Sequence, residues 1–130
     1  MTKIRKHSHL DETYQIGVDF DGVVHRCSKG FYDGTIYDDL LPDAASSIAM
    51  LASKYTLVCY TAKARADRPL VNGMTGKELV EEWLQKHDLL KYFKEVTAEK
   101  PRALCYIDDK GIRFTDWASA IQQLKDLKIL

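Results

Sequence analysis

Two periodicities alternate along the chain. Short apolar runs at 14–20, 55–60 and 103–107 have the continuous character of strands buried on both faces, and 94–97 reads as a brief further strand. Between them lie stretches with helical spacing. Pro42 opens a helix over 43–53, with Ala45, Ile48, Ala49 and Ala52 on one face and Asp43 near the positive end of its dipole. Thr75-Gly-Lys-Glu78 has the form of a capping box and starts a helix running to about His87, striped by Leu79, Val80, Trp83 and Leu84. A last helix, capped by Thr115 or Asp116, is expected to turn Trp117, Ala120, Ile121, Leu124 and Leu127 to the core. The Asp33-Gly34 pair, set between Phe31-Tyr32 and Thr35-Ile36-Tyr37, predicts a small hairpin. The polar, basic segment 1–13 is expected to be a flexible tail, followed by one domain over 14–130.

Strands alternating with helices imply an α/β fold with a parallel sheet, and ligands of such sheets bind beyond the carboxyl ends of the strands. Three apolar runs end in polar residues here: Asp19 and Asp21, Thr61, and Asp108-Asp109, with Lys100 shortly before the last run. One rim therefore collects an acidic cluster, a hydroxyl and a lysine.

Composition narrows the class. Nineteen basic residues balance nineteen acidic ones, so no long-range field draws the chain to nucleic acid or to a membrane surface. Three cysteines without a C-x-x-C spacing argue against a disulfide framework. Cys59 and Cys105 are expected to be buried thiols in a reducing, cytoplasmic setting. No apolar run approaches the roughly 18 residues that would span a bilayer, and no signal-like apolar segment opens the sequence.

The most informative stretch is Asp19-Phe-Asp21-Gly22-Val23. Alternate residues of an extended chain share a face, so the two carboxylates leave the strand together. Like charges brought that close repel, and burial adds several kcal/mol unless a counter-charge is present. A divalent cation is the usual counter-charge.

Taken together, D-F-D-G-V at 19–23, Thr61 at a strand end, Lys100 and I-D-D at 107–109 resemble the haloacid dehalogenase (HAD) superfamily of phosphotransferases. The likeness spans nearly the whole chain from residue 14. It implies a Rossmann-like three-layer sandwich with a central parallel sheet in the order 3-2-1-4. It also implies Asp19 as nucleophile, forming an aspartyl-phosphate, and Asp21 as the acid/base that serves the leaving group and then the attacking water. Thr61 and Lys100 would hold the transferring phosphoryl group. Mg2+ would be bound by Asp19, Asp21 through its main-chain carbonyl, and Asp108, with Asp109 helping directly or through a water.

Some details depart from that pattern. Val23 stands where threonine is frequent, and Lys100 lies only eight positions before Asp108, so Lys63 or Arg65 could take its role. The segments 22–42 and 62–100 are too short for a cap domain, so the site is expected to be open, covered only by the 31–37 hairpin. An open site suits a phosphorylated protein, a phosphorylated nucleic-acid end or a lipid-linked sugar, and a small metabolite if a second subunit acts as lid; no membrane partner is expected. Gly22, His25, Arg26, Lys29, Lys63 and Arg65 are the candidate substrate contacts. The outward helix faces show no apolar stripe that would mark a dimer interface. The rival reading is a slow phospho-accepting or phosphate-sensing module of signalling type. Receiver-like domains, however, carry the phosphorylated aspartate on a later strand than the first.

Overall fold

The computed structural model describes residues 14–130. The tail expected over 1–13 lies outside the described residues. Four strands, β1 (Gln15–Asp19), β2 (Thr56–Tyr60), β3 (Phe93–Thr97) and β4 (Cys105–Ile107), form one all-parallel sheet in the order β3-β2-β1-β4. Three helices, α1 (Ala44–Ala52), α2 (Gly76–Lys86) and α3 (Trp117–Asp126), complete a small Rossmann-like α/β fold. The expected fold class and strand order are both present.

The sheet is ordered by burial. In register, Ile16 faces Leu57 and Val18 faces Cys59, so these four side chains share one face. All four are buried with Phe20, Ile48, Val80, Trp83, Leu84 and Val96 in a single apolar cluster. Gly17 serves the opposite face: a Cβ there would lie 2.7 Å from the Tyr106 ring. At α2 the capping box forms as expected. Thr75 Oγ1 accepts from the Glu78 N–H at 3.1 Å, and Glu78 Oε1 accepts from the Thr75 N–H at 2.9 Å.

Several local expectations are corrected. The 31–37 hairpin does not form. Gly34 N–H donates back to Phe31 O, and the Asp33 carboxylate accepts from the Thr35 N–H at 3.1 Å, which winds the segment into consecutive turns. The antiparallel pairing lies further out, where Arg26 N–H donates to Asp39 O and Leu41 N–H to Val24 O. Those two bonds close a longer loop, 27–38, that Ser28 and Asp38 clasp from within. The aromatic side chains pack on one another here, Tyr32 against Tyr37 at 5.6 Å, rather than across a ladder. In α1 it is Ala44, not Ala45, that joins Ile48, Leu51 and Ala52 against the core.

The β4–α3 end differs most. Cys59 is buried but Cys105 is exposed, because β4 is an edge strand with no fully buried residue. In α3 only Ala120 is buried, while Trp117 is 73 % exposed and Ile121 and Leu127 are exposed as well. Of the stripe expected to face the core, Trp117, Ile121 and Leu127 are therefore turned outward, while Ala120 is buried and Leu124 half-buried. No described helix is long and apolar enough to cross a membrane.

Candidate functional site

The parallel register brings the motif residues together. Val18 pairs with Ile107 and Asp19 with Tyr60, so Asp19 and Asp108 leave adjacent strands at one level, and Thr61 is one residue further along β2. Beyond β1 the chain folds sharply. Phe20 O accepts from the N–H groups of Val23, Val24 and His25, and this turn returns His25 beneath Asp21. Gly22 makes the turn possible. It has φ +84°, and a Cβ there would lie 2.3 Å from Asp109 Oδ2.

A cleft of about 440 Å³ opens over these strand ends, lined by Asp19, Asp21, Thr61, Lys63 and Asp109, with Arg26 and Lys110 at its mouth. Thr61 N–H donates to Thr97 O at 2.9 Å, which ties the end of β2 to β3. Its hydroxyl accepts from the Lys63 N–H at 3.2 Å and caps a single 3-10 turn, Ala62–Ala64. This turn delivers Lys63 into the site. A Cβ at Gly76 would lie 1.6 Å from Lys63 O, so the first residue of α2 packs directly on the lysine's backbone.

The Lys63 ammonium, on a residue only 2 % exposed, lies 3.0 Å from Asp21 Oδ2 and 4.2 Å above the Phe31 ring. This contact with one carboxylate oxygen occupies one of the three ammonium donors and leaves the others for a further acceptor. The other Asp21 oxygen is 2.9 Å from His25 Nδ1. His25 is fully buried, stacked on Phe20 and edge-on to Tyr37 and Trp83. Its Nε2 accepts the Asp38 N–H at 3.0 Å, so the proton sits on Nδ1 and is donated to Asp21.

The two leading carboxylates are driven in opposite directions. Burial first, then the charges of Asp109, Asp21 and Asp108, push Asp19 up to about 6, against the Phe20 N–H that donates to it at 2.7 Å. Burial also raises Asp21, but the hydrogen bonds from His25 and Lys63 and the Lys63 charge outweigh it and hold Asp21 below the ordinary carboxylate range. Asp21 has two partners. Asp19, Asp108 and Asp109 make no ion pair among the described residues.

That imbalance fits a hard divalent cation, since three carboxylates on neighbouring strand ends lack a counter-charge. Asp109 lines the cleft, whereas the Asp108 carboxylate accepts from the Gly111 N–H at 2.7 Å and from the Tyr60 hydroxyl at 3.5 Å. Asp109 thus has the more open position of the two. Asp21, His25 and Cys27 also converge, but both His25 ring nitrogens are engaged and Asp21 is paired with a cation, so this trio does not suit a metal.

Among the other sequence candidates, Lys100 is exposed and its ammonium lies 4.2 Å over the Tyr106 ring, outside the cleft lining. Lys63 occupies the position the alternative assignment gave it. Arg65 is bound to Asp67 at 2.7 Å on the surface, and Lys29 stands over the Tyr32 ring at 4.6 Å. His25 lies under Asp21 and is not a surface contact. Lys110 was missed: it directly follows the Asp108-Asp109 pair, and that adjacency was the available signal. Comparisons with protein-family models, curated proteins and solved structures return no match.

Proposed function

We propose that this chain is a magnesium-dependent phosphomonoester hydrolase of the HAD type its motifs resemble, acting through an aspartyl-phosphate on Asp19. One observation carries the reading. A single cleft holds the buried Lys63 ammonium, of whose three donors the Asp21 contact takes one, and the unneutralised carboxylates Asp19 and Asp109. The first attracts an anion and the second a cation, and a phosphate ester with Mg2+ supplies both.

Asp19, Asp109 and Asp108 would hold Mg2+, which supplies charge neutralisation between the attacking carboxylate and the phosphoryl oxygens. An Asp19 oxygen attacks phosphorus, the bond from phosphorus to the ester oxygen breaks, and Asp21 delivers its proton to the departing alcohol. Asp21 then takes a proton from water, whose oxygen attacks phosphorus and releases inorganic phosphate and free Asp19. Thr61 and Lys63 orient the phosphoryl group and balance its charge. Asp21 must hold a proton in the first step although the resting site keeps it ionised. Bound phosphate resolves this conflict: it competes with Asp21 for the Lys63 protons and adds negative charge beside it, and both effects raise Asp21.

The test is hydrolysis of an aryl phosphate with and without Mg2+ by wild type, Asp19→Asn and Asp21→Asn. Magnesium-dependent release that both substitutions abolish is expected. Turnover surviving Asp19→Asn would overturn the covalent route. Stable acyl-phosphate labelling by a small phosphodonor without turnover would favour the signalling module.

A further inference from the structure

A second cavity of about 390 Å³ adjoins the cleft and shares two walls with it, Phe31 and Lys63. Its remaining lining is mostly apolar, with Tyr32, Leu70, Val71 and Leu79 the main contributors, Arg68 the added cation, and Asp33 a carboxylate whose Oδ1 accepts from the Thr35 N–H and hydroxyl. Tyr32 and Leu70 are each 61 % exposed and Phe31 is 40 % exposed, so three of the large apolar side chains left open to solvent gather round this one hollow. Phe31 is contacted by two cations: Lys63 lies 4.2 Å and the Arg68 guanidinium 4.3 Å from its ring centroid. Arg68 is anchored through Nε to Ala62 O at 3.3 Å, and its two Nη groups bond no described residue.

We infer that this cavity is the leaving-group subsite, and that the preferred substrates are phosphate monoesters of aromatic alcohols bearing a second anionic group. The inference rests on the phosphatase reading. A phosphoryl group between Asp19 and Thr61 has its ester oxygen near Asp21, and the neighbouring opening leads past Phe31. An aromatic ring fills walls of Phe, Tyr and Leu with little conformational cost. Arg68, stacked and anchored but with its planar fork unused, suits a carboxylate or a second phosphate. A short alkyl phosphate would reach neither feature.

The test compares kcat/KM for 4-carboxyphenyl phosphate, phenyl phosphate and glycerol phosphate, in Mg2+, for wild type, Arg68→Gln and Leu70→Ser. Wild type is expected to favour the carboxyaryl ester over glycerol phosphate by at least about tenfold, mainly through KM. Arg68→Gln should cut the carboxyaryl-to-phenyl ratio by about fivefold or more, as loss of one charged contact does. Leu70→Ser should cut the aryl-to-glycerol ratio. Equal efficiencies across the panel, or ratios unmoved by both variants, would overturn the subsite while leaving the phosphatase intact. If wild type hydrolyses none of the three, the phosphatase reading fails, and the subsite is read separately by titrating 4-hydroxybenzoate with NMR detection. Shifts centred on Leu70 and Val71 that vanish in Arg68→Gln would uphold the subsite, and their absence in wild type would overturn it.

Discussion

The Lys63 ammonium lies 3.0 Å from Asp21 Oδ2 in a buried ion pair. One carboxylate oxygen occupies one of its three donors, so the cation is charge-balanced and still able to donate to a phosphoryl group. The lysine's backbone is placed by the Thr61 cap and the Gly76 contact.

Lys63→Met should therefore lower kcat for aryl phosphate hydrolysis by about 10²–10³-fold, the range for losing one transition-state donor. Lys100→Met should change it less than threefold, since that ammonium rests on Tyr106 outside the cleft. Steady-state kinetics of the two variants decides between them. The reverse ranking would return the role to Lys100.

His25 is a positioning residue. Its Nδ1–H holds one Asp21 oxygen while the Asp38 N–H fixes the tautomer. In His25→Phe the apolar contacts to Phe20 and Trp83 are retained in kind, but the hydrogen bond that lowers Asp21 is lost. Asp21 should then keep its proton to higher pH, and the alkaline limb of the phosphoryl-transfer step should move up with it. A purely structural role would lower kcat without moving that limb.

The two motif aspartates should affect stability with opposite signs. Asp19 is raised from 3.8 to about 6 in the fold. Ionising it therefore costs nothing extra below about pH 4, costs progressively more as pH rises through 6, and costs the full amount above. Asp19 is half-exposed and solvent screens part of this, leaving about 1 kcal/mol. Metal-free Asp19→Asn should be more stable than wild type by that amount at pH 7.5 and equal to it near pH 4. Asp21→Asn should lose about 2 kcal/mol or more at pH 7.5, because it leaves Lys63 buried without a counter-charge. Added Mg2+ should raise the Tm of wild type and not that of Asp19→Asn. Thermal melts across pH, with and without the metal, test all three statements.

Much of this arrangement is legible in the sequence because its causes are local. The β1 and β2 runs, the Thr75–Glu78 capping box and the polar residues ending each strand follow from periodicity and short-range chemistry. The sheet order and the gathering of Asp19, Thr61 and Asp109 follow from the family resemblance and are present in the fold. What was not legible depends on distant partners. Beside the local Thr61 cap, Lys63 is placed by Gly76, which lies 13 positions along the chain and packs on its carbonyl. His25 reads as a surface contact until the 20–25 turn tucks it under Asp21. The α3 stripe is regular in spacing, yet Trp117, Ile121 and Leu127 are exposed among the described residues and only Ala120 is buried.

Two glycines separate backbone requirements from chemical ones. Gly22 has φ +84° and faces Asp109 Oδ2, so Gly22→Ala both strains the turn and displaces the cleft's open carboxylate. A Cβ at Gly76 would meet Lys63 O at 1.6 Å, and no flexible side chain is there to yield. In Gly76→Ala the α2 terminus and the 3-10 turn must move apart by well over an ångström, taking Lys63 with them. Each substitution should cost about 1–3 kcal/mol in stability, typical of backbone strain at a constrained position. Their functional effects should differ. Gly22→Ala acts on the carboxylate side, so its remaining activity should need several-fold more Mg2+ for half-saturation. Gly76→Ala acts on the cation side, so it should raise KM for phosphate ester and the inhibition constant for inorganic phosphate, with little change in the Mg2+ requirement. Magnesium and phosphate titrations of both variants, below their melting temperatures, measure this. Equal shifts in both titrations for both variants would mean that the two sides of the cleft are not separately built.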